Sequence, residues 1–152
     1  MYFWKTGSLS TDIKEGKIQD KDWMNYFLVW MILTVISQYM YAVTPYENMT
    51  ILMVEMILLI GSVIFGLSVT FRTHLASGGK ALTYIPHFVV IALPITIKVM
   101  LLSLLAGIGI GIAGEVLELT DEQTSWGTIP VIIIVQFVYF WRINEHLRYI
   151  NT

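Results

Sequence analysis

The chain has 152 residues, 56% of them hydrophobic and 13% charged, with a formal net charge of -2 and no cysteine. Its mean hydropathy is +0.69. Soluble domains carry about 25% charged residues, so the composition excludes a soluble domain and a disordered tail. The lack of a basic excess excludes a nucleic-acid binder. The lack of cysteine excludes disulfide scaffolds, thiolate metal sites and thiol redox chemistry.

Residues 1–22 read as a cytoplasmic N-terminal segment. Leu9 and Ile13, four apart, share one helical face, which predicts a short amphipathic helix lying on the inner leaflet and weakened at Gly16. Residues 23–152 read as a transmembrane domain. A helix needs about 20 apolar residues to cross a bilayer, and runs at about 23–42, 49–71, 86–113 and 128–147 meet that length. The predicted fold is all-α, with four antiparallel transmembrane helices and short loops that set the first span beside the second. Gly78-Gly79, between spans two and three, predicts a tight turn. The third span contains Pro94. Either it is one long helix, tilted or kinked at that proline, or the true span begins at Pro94 and residues 84–93 form a separate interfacial piece. The acidic stretch 114–127 reads as a solvated connection.

Charge sets the orientation. Lys5, Lys14, Lys17, Lys21, Arg72, Lys80, Arg142 and Arg148 all fall on one side of these spans, and the connections 43–48 and 114–127 contain no basic residue. The positive-inside rule places both termini in the cytoplasm of a cell inner (plasma) membrane. Trp23, Tyr26, Trp126, Tyr139 and Trp141 mark the span edges, where amphipathic rings sit at headgroup level.

Ionisable groups inside a bilayer cost about 2.5–3.5 kcal/mol on insertion scales, so each needs a reason. Two stand out away from the span ends, Glu55 in span two and Lys98 in span three. Glu55 falls in the outer half, at the depth of Gln38 in span one, so an amide–carboxyl contact is one arrangement. Lys98 either snorkels to the cytoplasmic face, is held by an ion pair (with Glu55 as the candidate) or a hydrogen bond that locks helix packing, or serves a proton, ion or substrate role. Gln136 in span four reads as an interhelical hydrogen-bonding group. Gly107 and Gly111 form a GxxxG pair within a glycine-rich run, which lets another helix approach closely.

No nucleophile–base set, metal cluster or cofactor motif is present in the sequence, which predicts a non-enzymatic protein without cofactor. The expectation is an inner-membrane protein that binds a membrane partner. It would be an accessory subunit of a membrane complex or an immunity-type protein against a membrane-acting toxin. The expected partners are the lipid bilayer and either further copies of the chain or another membrane protein, with no nucleic acid. The alternative is a small oligomeric ion channel or ion-coupled transporter using Glu55 and Lys98. The run from Gly78 to Lys98 has the look of a specific signature to which the sequence attaches no activity.

Overall fold

The computed structural model describes residues 5–43 and 49–152. Every regular element among them is helical: α1 (Thr6–Lys14), α2 (Asp20–Val43), α3 (Met49–Ala76), α4 (Ala81–Val116) and α5 (Asp121–Asn151). Three of these, α3, α4 and α5, are long and apolar enough to cross a membrane.

The helix ends have local causes. α1 stops where Gly16 takes φ +69°, a conformation that costs an L side chain but not glycine. The α3–α4 turn uses Gly78 at φ +97°, as the Gly-Gly pair predicts. α5 begins seven residues before the expected span, at Asp121. Thr120 accepts from the Gln123 backbone N–H, and the Gln123 side chain accepts from the Thr120 N–H. This capping box, with Asp121 and Glu122 in the first turn, satisfies donors that would otherwise point into space. The stretch read as a solvated connection is therefore mostly helix, with only residues 117–120 left between α4 and α5.

α4 is one continuous helix that runs through both Pro86 and Pro94. The alternative of a separate piece at 84–93 is ruled out. At 36 residues, α4 is about 54 Å long, well beyond the roughly 30 Å hydrocarbon core. Its two halves differ. From Phe88 to Ile95 every residue is buried, and Ile91 and Leu93 have no exposed surface. Beyond Lys98 most residues are exposed, with Leu105 67% and Ile112 58% exposed. A helix stretch that is apolar all round is stable only where something covers it all round. Here Leu9 and Ile13 of α1, Tyr26 of α2, and Ile143, Leu147 and Ile150 of α5 join its first half in one core.

The pairing of the long helices follows from fixed sequence offsets. Glu55 meets Thr128 and His74 meets Asn151, at separations of 73 and 77. The near-constant offset means that α3 and α5 run the same way. Thr96 meets Tyr139, and Gly114 lies against Thr124, so α4 runs against α5. Gly66 lets α3 and α5 close up, because a Cβ there would collide with the Phe140 ring. α2 packs on α4, and among the described residues it makes no close approach to α3. The expectation that the first span lies beside the second is corrected. The shared core on α4 holds α2, and the short connection between α2 and α3 does not decide the neighbour.

Candidate functional site

The polar residues singled out by sequence separate into two regions. Near the α4–α5 turn, α3, α4 and α5 enclose a groove of about 600 Å³ lined by Glu55, Ser103, Gly107, Thr128 and Gln136 among aliphatic side chains. Glu55 is half-buried, and its Oε1 accepts from the Thr128 hydroxyl at 3.0 Å. That hydroxyl also faces the Ser125 carbonyl oxygen at 2.7 Å. One proton thus serves two acceptors, and the shorter contact is not the one to Glu55. Gln136 stands in the same groove with no hydrogen bond to any other described residue. The groove joins three of the expected site residues: Glu55, Gln136 and Gly107.

Lys98 is not among them. Its Nζ donates to Thr6 Oγ1 of α1 at 2.8 Å. Gly107, at the level of Glu55, lies nine residues further along α4, about 13 Å along the axis. The Lys98–Glu55 ion pair is ruled out, and the arrangement found is the other form of that alternative, a hydrogen bond that ties α4 to α1. Gly111 lies outside the groove lining, and a Cβ on Gly107, Gly109 or Gly111 would meet open space. Gln38 lies outside the residues whose side chains are described.

α1 explains where Lys98 reaches. Thr6, Leu9, Ser10 and Ile13 form its buried face, at the i, i+3, i+4, i+7 spacing of one helical stripe. Ser10 Oγ lies 2.9 Å from His146 Nδ1 of α5, and Lys14 Nζ sits 5.0 Å from the centre of the Tyr149 ring. The apolar stripe expected to rest on lipid is covered by α4 and α5 instead. Ser10 follows Thr6 by one helical turn, so a single turn of α1 carries both polar contacts to α4 and α5.

Sequence reasoning missed a polar cluster at the α3–α4 turn. His74 is fully buried. Its Nδ1 accepts from Asn151 Nδ2 at 2.9 Å, so Nε2 carries the proton and donates to the Lys80 carbonyl at 3.1 Å. The same nitrogen lies 2.9 Å from the Leu147 carbonyl oxygen and 3.2 Å from Ser77 Oγ, so its two protons are shared among three acceptors. Tyr84 and Thr70 share a 2.8 Å hydroxyl contact, and the His87 ring stands edge-on to His74 with centroids 5.6 Å apart. A Cβ on Gly79 would collide with the His74 ring, so that glycine makes room for the histidine. The signal available in sequence was the Gly78–His87 run itself. Among the described residues no three His, Asp or Glu side chains converge on one point, and the cluster ties three helix ends together.

Compared with known proteins, the chain matches no family model, no curated protein and no solved structure.

Proposed function

We propose that this is a non-enzymatic, multi-pass inner-membrane protein that binds a membrane partner through the second half of α4 and the adjoining groove. The observation that carries this reading is the contrast along α4. One half is buried on every side, while the half from Met100 onward presents exposed aliphatic side chains beside open glycines. Isolated exposed apolar residues are expected against lipid. A glycine surface is different, because it gives lipid little to grip and lets a helix backbone come close.

In this reading α2 is a fourth span beside α3, α4 and α5, and both termini lie in the cytoplasm, as the basic residues suggest. The end bearing α1 and the α3–α4 turn is then the inner end, and the Glu55 groove lies in the outer half. The partner is a subunit of a membrane complex, or a membrane-acting toxin that this chain neutralises. Transport along Glu55 and Lys98 gains no support, since these groups have separate partners in Thr128 and Thr6. The test is photo-crosslinking in native membranes from position 104, an exposed leucine one turn from Gly107, compared with position 134, which is exposed on α5 and is not part of the Glu55 groove lining.

A further inference from the structure

Resting on that reading, we infer that the partner is a different polypeptide whose transmembrane helix places a lysine or arginine against Glu55. The need comes from the groove. Glu55 shares one hydroxyl proton with a backbone carbonyl, which leaves its carboxyl group with less than one full donor among the described residues. A carboxyl group facing hydrocarbon calls for a charge-assisted donor. The groove wall at Gly107 is open enough for a helix to bring that donor in.

A second copy of this chain does not provide it. Its one cation inside the apolar part of a span is Lys98, which lies about 13 Å along the helix axis from the Glu55 level and is engaged by Thr6. Copies inserted the same way keep that mismatch. The remaining lysines and arginines belong to α1 and its connection, the start of α2, the α3–α4 turn region and the last part of α5. All of these lie at the far end of the bundle. The cation therefore comes from another chain, at the depth of Glu55.

The test uses the full chain in phosphatidylcholine vesicles. A fluorophore sits on a cysteine introduced by Thr152→Cys, which is unique because the sequence has none. Acceptor-labelled leucine-rich transmembrane peptides carry a single Lys, Leu or Glu at the Glu55 depth. We expect the Lys peptide to associate at least tenfold more tightly than the Leu peptide. Glu55→Gln, checked for an unchanged melting profile, should erase that difference. Equal association of the Lys and Leu peptides, or a lysine advantage that survives Glu55→Gln, overturns the inference. So does energy transfer between labelled copies of the chain without peptide, if Lys peptide fails to compete with it. Leu-peptide association that is lost in Gly107→Leu would keep the docking surface while removing the cation. If no peptide associates at all, the inference falls, and crosslinking at position 104 still judges the broader reading.

Discussion

Replacing Leu9 by alanine tests whether α1 belongs to the folded bundle or rests on lipid. Leu9 has no exposed surface and lies in one core with Ile143, Leu147 and residues 88–95 of α4. Leucine-to-alanine changes at such sites cost about 2–5 kcal/mol. α1 is short and at the edge of the bundle, so the site can partly collapse, and the lower half of the range applies. A loss of roughly 2–3 kcal/mol shifts the docking equilibrium by about 30- to 150-fold. Hydrogen exchange in nanodiscs reads this directly. Amides of α1 should exchange faster by that factor in Leu9→Ala, while those of α3 and the rest of α5 stay protected. Gly7→Ala is the control. A Cβ there meets nothing, and alanine favours the helix by up to about 1 kcal/mol, so exchange should slow or hold. Unchanged α1 exchange in Leu9→Ala, or α1 protection that vanishes when the bilayer is replaced by detergent with the bundle intact, would refute the docking.

Other substitutions probe the helix seams. Gly66→Ala forces a Cβ into the Phe140 ring and should destabilise the α3–α5 seam by about 1–3 kcal/mol. Gly61→Ala, which meets open space, should hold or raise the thermal midpoint in detergent, since alanine favours the helix. Asn151→Leu removes the donor to His74 Nδ1 and leaves that nitrogen buried without a partner. The expected cost is about 1–3 kcal/mol, seen as a lower midpoint and as loosening of the α3–α4 turn in hydrogen exchange.

Much of this architecture was legible in residue spacing. The Leu9–Ile13 stripe announced α1, Gly78 announced the turn, and the apolar runs announced α3 to α5. The sequence did not reveal what covers each apolar face. Lipid and protein satisfy the Leu9 stripe equally well by composition, and only the Thr6–Lys98 and Ser10–His146 contacts distinguish them. The His74 cluster was hidden for a related reason. Its anchoring partner, Asn151, lies 77 residues away, and no local pattern encodes that distance. Glu55 and Lys98 stood out by their cost in hydrocarbon. Whether they faced each other depended on axial position, and α4 begins five residues before the expected start of its span, at Ala81.

The most direct measurement of partner binding places a photo-crosslinking amino acid at position 104, where the exposed Leu104 can be replaced while Gly107 stays, in one chain and at position 134 in another, both in native membranes. We expect a discrete protein adduct from 104 only, of mass different from a dimer of this chain, and diminished by Glu55→Leu. Adducts to lipid alone at both positions would contradict the claim that the open half of α4 receives a protein partner.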